Sequence, residues 1–223
     1  EVFHRHQHRH FAGERTQPLC RYPMEELDLV AGALVEQRRL AEALAAAGDD
    51  DARRSLRRYV AYRLSRYDTN AAGLDAHTIE DWEERLEGTA RFVEERYVSA
   101  AGLLDAATAI RTLSATLRDL APQDLQKWRY YKTGAALLHL AARLLPDAPW
   151  SQRIDDGQAP FDVALGAAGD GAIAPVAPDP RAMDAARAVL GPALAAHLDR
   201  ERALLEEWPG QGALRVVITS ATA

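Results

Sequence analysis

The chain has 223 residues, enough to bury one sizeable core, and its 48% hydrophobic and 27% charged content excludes a disordered polar chain. A net charge of −6 argues against general nucleic-acid binding, which needs a basic face for phosphates. Cys20 is the only cysteine, so a disulfide framework and a thiolate metal cluster are excluded, as expected in a reducing cytoplasm. There is also no apolar run long enough to span a membrane and no signal-peptide layout at the start.

The chain begins at Glu1 rather than Met, which leaves room for residues ahead of it. His4, His6, His8 and His10 then alternate with Arg5, Gln7 and Arg9, and Phe11 and Glu14 follow. In an extended segment all four imidazoles would point one way; in a helix His4 with His8 and His6 with His10 would form pairs on different faces. Either arrangement would suit a transition metal or a catalytic imidazole, and a frayed polar terminus is the plain alternative.

From Pro23 to Leu145 the periodicity is helical. Leu27, Val30, Ala31, Leu34, Ala41 and Leu44 form one apolar stripe, which Gly48 is expected to close. Asp49 to Asp51 open a second helix through Leu56, Tyr59, Val60, Arg63 and Leu64, ending near Asp68-Thr69-Asn70. The run Arg53, Arg54, Arg57 and Arg58 reads as a solvated face, or less often as an anion site. Thr78 with Asp81 resembles a capping arrangement for a helix through Trp82, Leu86, Phe92 and Val93. A further helix is expected from about Ser99 to Leu120, with Pro122 in the first turn of the next. Gln123 to Leu145 gives the clearest helix, stopped by Pro146.

Residues 146–179, rich in Pro, Gly, Asp and Ala, are expected to be a loop or lid. Asp179-Pro180 then opens a last helix through Leu190, Leu194, His197 and Leu204, and Leu214 to Thr219 is a β-prone tail. The expectation is one all-α domain over 1–223, a helical bundle with a His/Arg-rich segment at 1–22, the loop at 146–179 and a tail at 211–223.

The familiar enzyme signatures GxSxG, Walker P-loop and HExxH are absent, and no Glu-x-x-His pairs suggest a di-iron bundle. His139 sits among Ala135, Ala136 and Ala142 with Arg143 one turn on. Such small neighbours would leave clearance for a flat macrocycle, and the arginine would meet a carboxylate. His197, with Ala193, Leu194 and Arg200, is a weaker version. For each, a core histidine bonded to a backbone carbonyl is the plain reading. Arg63 and Arg66 with Tyr59, Tyr62 and Tyr67 form one carboxylate-and-aromatic cluster, and Trp128, Arg129, Tyr130, Tyr131 and Lys132 another; amphipathic packing is the alternative for both.

An all-helical chain with a distal-type histidine near its start, an arginine-bearing helix next and a later inward histidine resembles the heme-dependent aromatic oxygenases, the superfamily of tryptophan 2,3-dioxygenase. The His8-Arg9-His10-Phe11 stretch and the Ala/Arg-rich composition are most similar to its heme-dependent L-tyrosine hydroxylases of natural-product biosynthesis. The resemblance spans Phe3 to Trp208 and is one of order and character rather than of a diagnostic motif. It implies a tryptophan dioxygenase-like fold and heme b whose iron is held by His139, or alternatively His197. Arg129, Lys132 and Arg143 would be its cofactor-binding cations. Covalent attachment is not implied, because His10 and Cys20 are too far apart for a His-x-x-x-Cys motif. His8 or His10 would be the acid–base catalyst, and Arg63, Arg66 and Tyr62 would bind the substrate. The reaction implied is hydroxylation of L-tyrosine to L-DOPA by peroxide or dioxygen, in antibiotic-type secondary metabolism.

The expected partner is a small aromatic amino acid, with no nucleic acid and no membrane, and a homodimer is left open. Two other readings stand beside this one: a non-heme metal enzyme using the N-terminal histidines, and a non-enzymatic helical interaction module.

Overall fold

The computed structural model describes residues 2–12, 18, 22–68, 71–119, 124–125, 128–169 and 171–207. Cys20, Asn70, Pro122 and the tail from Trp208 onward lie outside these. The described residues are all-α, with no strand among them. No described helix is long and apolar enough to cross a membrane.

Two helices form the centre. α2 (Leu27–Ala45) is buried around most of its circumference, including Glu36 and Gln37, because α3, α6, α7 and α10 surround it. α7 (Trp128–Leu144) is buried from Thr133 through Leu138 and again at Leu140, Ala141 and Leu144. α3 (Asp49–Tyr67) lies along α2, and Leu56, Tyr59 and Val60 enter the main core. α10 (Pro180–Glu207) lies on the other side of α2, setting Ala186 and Leu190 against Val30, Ala31 and Leu34.

Gly48 does not close α2. It is the extended N-cap of α3, and α2 stops at Ala46. The orphan carbonyls at that end are met from α7 instead: Arg143 donates to the Ala46 and Ala47 carbonyls at 2.8 and 3.1 Å and to Asp49 Oδ1 at 2.8 Å. The basic run of α3 divides: Arg54 and Arg58 are exposed, as a solvated face would have them, and Arg53 turns inward. Arg53 donates to the Leu144 and Ala167 carbonyls, both at 2.7 Å, so it caps two helix ends rather than facing solvent.

Thr78 is not a cap. It lies inside α4 (Ala71–Glu83), and its hydroxyl back-bonds to the Leu74 carbonyl at 3.0 Å. α4 continues through a π-helical turn, Glu84–Gly88, into α5 (Thr89–Ala100). At that turn a Cβ on Gly88 would sit 2.5 Å from Gly134 Cα, so the two backbones touch where only glycine fits. The expected helix start at Ser99 also moves. Residues 101–105 turn, with Gly102 at φ +70, and α6 (Ala106–Arg118) begins under an Asp105 carboxylate that accepts from Thr108 N at 2.8 Å.

Residues 146–179 are not one continuous loop. They contain α8 (Trp150–Asp155) and α9 (Pro160–Ala167), and Phe161, Val163, Ala164 and Ala167 enter the main core. Only 172–179 is extended, tied to α3 by Val176 N donating to the Ala61 carbonyl at 3.0 Å. The Asp179 cap holds as expected, its Oδ1 accepting from Arg181 N at 2.7 Å.

The histidine segment folds as α1 (Val2–His10). Phe11 behind it is buried under the Arg85 guanidinium, and Gln7 Nε2 donates to the Leu86 carbonyl of the π turn at 2.7 Å. A nine-residue helix is marginal alone, so these anchors hold it.

Candidate functional site

Arg63 and Arg66 leave α3 towards the interior, where Arg129 of α7 joins them. Three carboxylates face these three cations. Glu80 is 0% exposed and accepts from Arg66 at 2.8 and 2.7 Å, from Arg129 at 2.7 Å and from the Tyr67 hydroxyl at 2.6 Å. Glu36 takes the other side of the Arg66 fork at 3.0 and 2.6 Å. Glu84, from the π turn, accepts from Arg63 at 2.9 Å and from the Thr133 hydroxyl at 2.5 Å. Arg63 also donates to the Tyr59 hydroxyl, and the Arg129 guanidinium lies 4.6 and 4.5 Å from the rings of Tyr22 and Tyr130.

Burial alone would raise Glu80, but Arg66, Arg129 and Arg63 outweigh it and hold the carboxyl well below the ordinary range. Glu36 and Glu84 go the other way, because burial dominates despite their arginine partners. Burial pushes Tyr22 up to about 12 and Tyr59 and Tyr67 well above their usual value, so all three stay neutral.

This cluster revises the expected substrate clamp. The forks of Arg63 and Arg66 are filled by glutamates of the same chain, so a substrate carboxylate would have to displace a buried partner. Arg66 does line the floor of a cleft of about 320 Å³ between α2, α3, the extended segment and α10, but Glu36 and Glu80 already occupy it there. Tyr62 is turned away, towards the α2–α10 core and Arg39.

His139 is nearly buried between α5 and α7. Its Nε2 is 2.8 Å from Glu95 Oε2, while Glu95 Oε1 accepts from Arg91 Nε at 2.8 Å. The Phe92 ring meets the imidazole edge-on, with centroids 4.8 Å apart. Glu95 forms part of the lining of a cleft of about 270 Å³ between α5, α6 and α7. Its apolar walls are Leu104, Leu113, Trp128 and Tyr131, and Arg91 and Lys132 bring positive charge. Trp128 is 54% exposed, unusual for so large an apolar surface, and it leans on Tyr131 with rings 5.4 Å apart. Burial raises the Tyr131 hydroxyl, and Glu87 beside it raises it further, so it stays protonated. The sequence marked Trp128, Tyr131 and Lys132 as a cluster; Glu95 was missed, because only the packing of α5 on α7 reveals its pairing with His139.

Heme does not fit these residues as they stand. The His139 nitrogen that would meet iron is engaged by Glu95, and Phe92 closes on the ring. The expected cofactor cations point to separate places: Arg129 into the buried cluster, Lys132 into the cleft and Arg143 onto the α2–α3 turn. His197 lies on α10 with Nε2 3.3 Å from Glu201 Oε1, both part-exposed. His8 and His10 are both exposed, on different faces of α1. Among the described residues no three or more of His, Cys, Asp and Glu converge on a metal-sized site.

The chain matches no known protein family, no curated protein and no solved structure. Any assignment rests on the geometry.

Proposed function

We propose that the chain binds a small aromatic carboxylate, such as an aromatic amino acid, in the cleft between α5, α6 and α7. The observation that carries this is the half-exposed Trp128, lying with Tyr131 and Leu113 in a cleft that also holds Lys132 and Arg91. A planar ring would bury against the indole and phenol, and an exposed indole gains most from such a contact. Lys132 is the better placed cation for a carboxylate, because its internal partner Asp124 is a loose 3.5 Å away, whereas Arg91 is held by Glu94 and Glu95. At about 270 Å³ the cleft sits at the small end of ligand sites, which favours a single-ring or indole-sized molecule. The reading keeps the aromatic amino acid that the sequence suggested and assigns no oxidative step.

The test is fluorescence titration with L-tyrosine, L-tryptophan and phenylpyruvate, with tyramine as the control lacking a carboxylate. Nuclear magnetic resonance mapping serves wherever the ligand itself fluoresces. Saturable binding that discriminates against tyramine, and that weakens at least tenfold in both Trp128→Ala and Lys132→Met, supports the proposal. Absence of binding, or binding unchanged in both variants, refutes it.

A further inference from the structure

We infer that His6 and His10 form a binding site for one late divalent transition-metal ion, on the exposed face of α1. The sequence allows two histidine pairs at helical spacing, and the structure separates them. His4, of the first pair, has both ring nitrogens engaged: Nδ1 is 2.7 Å from Gln7 Oε1, and Nε2 is 3.6 Å from Glu87 Oε2. It is half-buried against the π turn, so His8 has no partner on its own face. His6 and His10 differ. Both are exposed, their rings stack with centroids 4.5 Å apart and planes 29° apart, and neither has a hydrogen-bond partner among the described residues.

Their spacing of four residues places the two imidazoles one above the other on a helix, the disposition through which two helical histidines share a zinc ion. At that spacing each ring can offer one nitrogen to a shared ion at the ~2.0–2.1 Å that an imidazole–metal bond needs. The Phe3 ring stacks on His6 at 5.6 Å, and Phe11 meets it edge-on at 6.4 Å, so its side chain is positioned before any ion arrives. Two neutral nitrogen donors, with water filling the remaining positions, favour Cu²⁺ over Zn²⁺ and Ni²⁺ and have no affinity worth naming for Mg²⁺ or Ca²⁺. Because the pair exists only when α1 is helical, metal binding also holds α1 against the π turn, where Gln7 and Phe11 anchor it. The site is independent of the cleft proposed above and shares no residue with it.

The experiment uses the full chain without an affinity tag, titrated with Cu²⁺ and Zn²⁺ in a non-chelating buffer and followed by calorimetry and by electron paramagnetic resonance of the copper form. The expectation is one ion per chain and a copper spectrum showing two imidazole nitrogens. Affinity should fall roughly a hundredfold in His6→Ala and in His10→Ala, as when one arm of a two-point attachment is removed. His8→Ala should leave it unchanged, and all of these positions are exposed, so circular dichroism should match the parent. Binding that survives the His6→Ala/His10→Ala double variant, or that falls as much with His8→Ala, overturns the assignment. So does a copper spectrum with a single nitrogen.

Discussion

Replacing Glu80 with glutamine is the sharpest probe of the buried charges. The substitution keeps shape and volume but removes one of three carboxylates that face Arg63, Arg66 and Arg129. It also turns an amide NH₂ towards guanidinium groups that need acceptors, in a position that is 0% exposed. Breaking one partner out of a buried ion pair costs about 3–5 kcal/mol, and Glu80 serves three arginines, so the upper half of that range is expected. Against a domain stability of ~5–15 kcal/mol, that is a large share of the whole. With a urea slope of about 2 kcal/mol/M, the midpoint should fall by roughly 2 M at unchanged slope, read by circular dichroism. A fall of less than ~0.5 M would refute the view that Glu80 anchors the cluster. The acid limb supplies a second reading. Glu80 titrates well below the ordinary carboxylate value, so its contribution is present above the unfolded value, about 4.3, and is lost as pH falls through the lower folded one. Glu80→Gln should flatten that limb. Glu36 and Glu84, both raised, contribute with the opposite sign: their share is present below the ordinary value and lost as pH rises through the folded ones.

Three further predictions follow from local geometry. Gly88→Ala forces a Cβ to 2.5 Å from Gly134 Cα and should cost at least ~1–3 kcal/mol, so a thermal melt that matches the parent would show that the two backbones do not meet there. His139→Leu removes the partner of Glu95 Oε2 and should cost about 1–2 kcal/mol with helix content intact, so a more stable variant would show that the pair contributes nothing. The His77 pKa is raised by its 2.9 Å contact with Asp81, so in Asp81→Asn a nuclear magnetic resonance titration should find it moved down towards ~6.5. The associated stabilisation is present below the unfolded pKa and disappears as pH rises through the folded one, so the parent and Asp81→Asn should converge in alkaline buffer.

What the sequence disclosed depended on whether the signal was local. α2, α3, α7 and α10 announce themselves through apolar residues three and four apart, and Asp179-Pro180 is a cap written in two adjacent letters. α8 and α9 were hidden, because six and eight residues are too short to show a period inside a Pro/Gly/Asp background. Thr78 and Asp81 misled for the opposite reason, imitating a cap inside a helix. At the site, Arg63 and Arg66 stood out, but their role reversed once Glu36 and Glu80 arrived from 30 and 14 residues away from Arg66. No local pattern links those glutamates to the arginines; only helix packing does. Trp128, Tyr131 and Lys132 were legible as a cluster because one helix carries all three.

The contact between Gly88 and Gly134 sits between two clamps. Along the rod made by α4, the π turn and α5, Glu80 lies about 12 Å to one side of it and Glu95 about 10 Å to the other, at ~1.5 Å of rise per residue. On α7 their partners, Arg129 and His139, flank Gly134 in the same order. The two rods are thus pinned at three levels, by the arginine–glutamate cluster, the glycine contact and the His139–Glu95 pair, and the α5 wall of the cleft, Arg91 and Glu95, lies on the far side of the middle pin from the cluster.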